Sequence, residues 1–139
     1  MAVVKSTAQV VRIKATGTSS WTEIATNFLN SFTPSRTPRT FEKGGTTATV
    51  RNVTNGQTEE TVDFNVDADD TLFPLLHRKE NTSIDIEDNP QGTGSGTPKI
   101  TYTDMLITSA GFGATINDKR TFDVTTITGE SNSIVESTN

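Results

Sequence analysis

The chain has 139 residues, 31% of them hydrophobic, and a net charge of −5, which is material for one domain around a modest core. It has no cysteine, which excludes disulfides, thiolate metal sites and cysteine nucleophiles. Threonine fills 27 positions, and its β-branched side chain favours pleated backbone over helix, so a mainly β fold is expected.

The N-terminal MAVVKSTAQVVRIK places basic residues among its apolar ones, unlike a secretory signal, and no apolar run approaches the length of a membrane span. Val11, Ile13 and Ala15 alternate with Val10, Arg12 and Lys14, the period of a half-buried strand that stops at Gly17. In SSWTEIATNFLNSF the spacing of Trp21, Ile24, Phe28, Leu29 and Phe32, with Ser20 and Glu23 as a capping box, predicts a short helix. The alternative is a strand ending at Trp21, because threonine is a poor helix former. Residues 33–45, TPSRTPRTFEKGG, contain Pro34, Pro38 and two closing glycines with little to bury, and read as a long loop or arm. Its Arg36, Arg39 and Lys43 outweigh Glu42.

Asn55-Gly56 supplies the two positive φ angles of a type I′ turn, so residues 46–54 and 57–66 are expected to form a hairpin. Val62, Phe64 and Val66 form an apolar face, with the carboxylates on the other. Thr71 is placed to cap a helix that buries Leu72, Leu75 and Leu76, with Pro74 in its first turn. Ile84 and Ile86 mark another strand, and NPQGTGSGTP is a glycine-rich connection. KITYTDMLITSAGFG is a strand with Ile100, Tyr102 and Leu106 inward, and RTFDVTTIT is the last, with Phe122 and Val124 inward. Residues 130–139 form a polar tail, disordered or ordered only by a neighbour. The pattern predicts a single domain over 1–139, an antiparallel β-sandwich or barrel with one or two short flanking helices and an extended arm.

Charge and chemistry narrow the function. Between Glu59 and Asp88 ten carboxylates stand against Arg78 and Lys79, a local balance of −8. This argues against nucleic-acid binding through that segment and suits head-to-tail association of unlike surfaces. The single histidine, His77, sits beside two cations with no GxSxG elbow in the chain, so a Ser-His-Asp triad is not expected. GTGSG leads through Pro98 into a strand instead of a helix, unlike a phosphate loop. An EF-hand started at Asp67 would have Leu72 in place of its glycine and Arg78 in place of its glutamate. Asp63 and Asp85 as a glycosidase pair would lack a sugar platform, since there is one tryptophan and one tyrosine. No cofactor, metal or catalytic activity is expected.

The order of GTSSWTEI, TPSRTPRTFEKGG, TATVRNVTNGQTEETVDFNV, DTLFPLLHRKE, TSIDIED, PKITYTDMLITSAG and KRTFDVTTITGES resembles the major tail tube proteins of long-tailed bacteriophages, whose fold is shared with the tube protein of type VI secretion. The resemblance covers about residues 17–129. It implies a virion protein of the tail, assembled in the host cytoplasm as stacked hexameric rings, with the arm and termini bridging neighbours. The implied partners are further copies, other tail proteins such as tape measure and terminator, and double-stranded DNA that passes without specific binding; no membrane is implied. An acidic lining repels DNA where a basic one would hold it. Glu59, Glu60 and Asp63 are therefore expected to face a lumen, and Arg36, Arg39 and Lys43 to reach acidic patches on an adjacent subunit. The alternatives are a tail terminator, a capsid decoration protein, or a carbohydrate-binding β-sandwich.

Overall fold

The computed structural model describes residues 8–24, 28–37, 40–44, 51–55, 59–114 and 119–139. Its strands are β1 (Val10–Ala15), β2 (Thr22–Ile24), β3 (Leu29–Thr37), β4 (Thr40–Gly44), β5 (Arg51–Asn55), β6 (Glu59–Asp67), β7 (Ser83–Asn89), β8 (Pro98–Ala114) and β9 (Arg120–Thr138). One short helix, α1 (Phe73–Leu76), lies between β6 and β7. Seven strands form one antiparallel sheet in the order β2-β1-β7-β8-β9-β6-β3, curled into a half-barrel, and β4 pairs with β5 in a separate ribbon. The mainly β expectation holds.

The core lies on the concave face. Val62, Phe64 and Val66 of β6 and Phe122 and Val124 of β9 are buried, as the period-two reading requires, with Val11, Ile13, Ile84 and Ile86 from β1 and β7. Leu72 and Leu76 at the helix are also buried. Burying an aliphatic side chain contributes about 1.5–3 kcal/mol, so two leucines on one turn anchor a segment too short to persist alone. Thr71 does not cap this helix. Leu72 occupies the cap position without a side-chain bond, while the Asp69 carboxylate accepts from the Thr71 amide (2.9 Å) and hydroxyl (3.2 Å).

Two expectations for residues 20–45 are corrected. In the segment expected to be helical from Ser20 to Phe32, Thr22–Ile24 and Leu29–Thr37 are strands, with Ile24 opposite Val11 and Phe32 opposite Phe64. Tertiary pairing overrides the helical spacing, and Thr22 and Thr33 favour it. Of the long loop or arm expected over 33–45, the described residues 33–37 and 40–44 are strand: Pro34 sits on the edge strand β3, where its missing N–H is tolerated.

The expected hairpin around Asn55-Gly56 is not formed. β5 pairs with β4 and β6 with β3, so the β4–β5 pairing is nested inside the β3–β6 pairing as successive parts of one long hairpin. Residues 45–50 and 56–58 lie outside the described residues. The C-terminal segment is not a loose tail either, since Ser133 to Thr138 pair with Thr103 to Pro98 of the same chain.

A bulge at Asp104 sets which residues of β8 face inward. Both ladders of β8 shift register there, so Tyr102 and Met105 are both buried, and Met105 and Ile107 take the place expected for Leu106. Asp104 has φ of 57°, its amide donates to Asp85 Oδ1 (3.0 Å), and its carboxylate accepts from the Ser131 amide (2.7 Å). Across from it, a Cβ on Gly129 would lie 2.7 Å from the Asp104 carboxylate and 2.8 Å from its carbonyl oxygen. Because backbone has to yield, Gly129→Ala is expected to destabilise by about 1–3 kcal/mol, measured as a lower denaturant midpoint.

Candidate functional site

The acidic residues expected on one strand face divide between two. In β6, Glu59 and Asp63 share the convex face with Thr61 and Asn65, whereas Glu60 follows the parity of Val62 and Phe64 and is 6% exposed. Its partner is Arg36, opposite it in register, whose Nε donates to Glu60 Oε1. Arg36 thus makes its ion pair within its own chain, and that hydrogen bond and charge raise its pKa. Arg39 lies outside the described residues, and Lys43 is in β4 opposite Asn52.

The convex face of β3, β6, the N-terminal half of β9 and the end of β8 is mainly polar, with Ile127 opposite Thr61 as an apolar member. Register places Asp63 beside Thr125, Asn65 beside Asp123, Thr33 beside Asp63, and Gly111 beside Asp123. Ser31, Thr33, Ser35, Asp63, Ser109 and Asp123 are exposed. Among the described residues, no strand position on this face in β3, β6 or the N-terminal half of β9 is lysine or arginine. Asp123 was not singled out by sequence, because only the β6–β9 register brings it next to Asp63. At the end of the face Asp67 is held by Asn30 (2.8 Å) and Lys119 (3.1 Å). Burial pushes its carboxyl up, but those two partners outweigh it and hold the pKa below the ordinary value.

Acids on β7 have a different role. Glu87 accepts from Arg12 (3.0 Å) and Asn89 (3.0 Å), and Asp85 accepts from Thr16 (2.8 Å) with Lys14 at 3.8 Å. The acids of DIEDN are therefore buried, Asp85 and Glu87 paired with Lys14 and Arg12 of β1 and Asp88 accepting from Gln9 (2.8 Å). Among the described residues no group of three or more His, Cys, Asp or Glu is arranged to hold a metal ion. His77 is half-buried and stacks on Phe73 at 4.3 Å.

At the mouth of the half-barrel, Pro34, Arg36 and Glu60 face Ile100, Tyr102, Ile134 and Glu136 across a cleft of 190 Å³. Tyr102 is nearly buried there, and burial, reinforced by Asp88, Glu60 and Glu136, pushes its phenol up to about 12. Asp88 is raised by burial against a bond from Gln9. Tyr102 is the chain's one tyrosine, so its titration is directly readable by ultraviolet absorbance. At about pH 10, where an ordinary phenol is half ionised, the folded protein is expected to show almost no tyrosinate and the denatured protein about half.

No family model and no curated protein matches the chain in sequence. Solved structures match in fold. A chain in the tail of an empty gene transfer agent particle, refined helically with C6 symmetry, aligns over 92% of this chain and 96% of its own, with TM-score 0.63 and 12% identity. A chain of the anti-feeding prophage baseplate, 6-fold symmetrised, aligns over 97% of both with TM-score 0.61 and 11% identity. A chain of an extracellular contractile injection system, in its extended sheath-tube complex, aligns over 99% of this chain and 93% of its own, with TM-score 0.61 and 14% identity. The fold is thus one found in chains built into phage-like tail particles, and the likeness spans nearly every element.

Proposed function

We propose that this chain is the tube subunit of a phage-like tail, polymerising as stacked hexameric rings that conduct double-stranded DNA, with its convex polar face turned to the channel. The observation that carries this reading is the fold: a half-barrel matched along nearly its full length by chains of assembled tail particles, two of them refined with six-fold symmetry. The restriction to long-tailed phages is dropped, because one of those particles is a contractile injection system.

The chemistry of the convex face supports the orientation. DNA carries one negative charge per about 1.7 Å of axis and is held by lysine and arginine. A wall of hydroxyls with Asp63 and Asp123, and with no lysine or arginine among the described positions of this face in β3, β6 and the N-terminal half of β9, leaves DNA free to slide. Glu60 is removed from the lining, since it faces the core side against Arg36. The proposal places the protein in the virion tail, assembled in the host cytoplasm, with tape measure and terminator proteins as further partners and no catalytic role.

Negative-stain electron microscopy of the purified protein across a concentration series tests this reading. Six-membered rings that stack into tubes are the expected result. Rings that never stack indicate a terminator, and a monomer at every concentration overturns the proposal.

A further inference from the structure

The outer half of β9 is fastened by side chains at both ends. Thr121 to Ile127 have β8 on one side and β6 on the other, whereas Ser133 to Thr138 pair only with β8 among the described residues. At the near end the Asp104 carboxylate accepts from the Ser131 amide, and Asn132 Nδ2 donates to the Thr103 carbonyl (3.0 Å). At the far end stands Asn139.

The Asn139 backbone bridges to the glycine-rich connection: its amide donates to the Thr97 carbonyl (2.8 Å), and its own carbonyl accepts from the Gly96 amide (2.8 Å). Its side-chain Nδ2 faces four oxygens, Asn89 Oδ1 (2.9 Å), Thr97 Oγ1 (3.1 Å) and the Gly92 and Thr97 carbonyls (3.4 Å each). Each of them accepts. Thr97 Oγ1 gives its hydrogen to the Gly92 or Gly94 carbonyl, and the fully buried Asn89 turns its own Nδ2 to the Val10 carbonyl and to Glu87. Glu87 accepts in turn from Arg12. One run of side chains therefore ties β1 and β7 through the loop to the end of β9. The position calls for an amide donor: alanine would leave the oxygens unpaired, and a carboxylate would set negative charge against all four.

We infer that the Asn139 carboxamide is a clasp that keeps the outer half of β9 on its own β8 and so guards the subunit against strand exchange. With that strand released, Ile100 to Tyr102 of β8 become a sheet edge beside β7. Such an edge accepts the equivalent strand of a second copy, the route to a domain-swapped dimer. The clasp operates in the lone subunit, whatever the subunit assembles into.

Hydrogen–deuterium exchange followed by mass spectrometry on the dilute full-length chain reads the clasp. Asn139→Asp should speed exchange over 133–139 and 90–97 by on the order of tenfold and Asn139→Ala by less, with 121–127 unchanged in both, because only the clasped segment opens. A second reading identifies the strand's partner. Thr101 and Val135 are opposite in register and the chain has no native cysteine, so Thr101→Cys/Val135→Cys protein should oxidise to a disulfide within one chain. Adding Asn139→Asp should shift it towards disulfide-linked dimer as concentration rises. Unchanged exchange in both Asn139 variants overturns the clasp, as does linked dimer in place of the intrachain disulfide while Asn139 is intact.

Discussion

Phe122→Ala is expected to cost about 3–5 kcal/mol and to lower the melting temperature by about 10–20 °C. The ring is fully buried where β9, β8 and the helix meet, stacked on Phe112 at 4.8 Å and edge-on to Phe73 at 6.3 Å. Removing it opens a cavity under the curled seven-stranded sheet. Val135→Ala, at a half-exposed position, should change stability by no more than about 0.5 kcal/mol. Thermal unfolding of the two variants checks the pair, and a Phe122→Ala loss below about 1 kcal/mol would show that the core lies elsewhere.

The second large effect is electrostatic. Asp63→Lys combined with Asp123→Lys changes the charge of each subunit by +4, on side chains that are exposed and flank one another across the β6–β9 ladder. Wild-type assemblies are expected not to retain linear double-stranded DNA in co-sedimentation. The double variant should retain it at low salt and release it steeply as salt rises, because each neutralised phosphate adds to the salt slope. Equal retention by both proteins would remove the channel-facing role from this surface. Since the two residues are exposed, unfolding curves should coincide, which separates lost folding from gained binding.

What was legible in the sequence was local and periodic. Val62, Phe64 and Val66, then Phe122 and Val124, announced their strands and their buried face because period two needs no partner to be read. Leu72 and Leu76 likewise announced the helix they anchor. What failed depended on pairing at a distance. Asn55-Gly56 carries the strongest local turn signal in the chain, yet the ladder continues on both sides of that dipeptide, because β4 and β3 offer partners that local chemistry cannot show. Pro34 read as a loop residue because proline breaks interior strands, whereas β3 is an edge.

Glu60 illustrates a different lesson. Its parity with Val62 already placed it on the core side, and the composition of the acidic segment obscured that parity. A buried carboxylate demands a partner, and Arg36 supplies it through register. The acids of 59–88 therefore include groups with different roles: Asp63 exposed on the convex face, Glu60 paired with Arg36, and Asp85 and Glu87 of β7 paired with Lys14 and Arg12. Net charge alone could not separate them, because it carries no information on which face each group occupies.

Cryo-electron microscopy of the assembled protein, reconstructed with its helical symmetry, reads directly which face of the sheet lines the channel. The expected map is a tube whose channel is walled by β6 and β9, with Asp63 and Asp123 projecting into the lumen and the β7 carboxylates away from it. A tube that turns its helix α1 and Phe73 inward, with Asp63 and Asp123 on the outer surface, would contradict it.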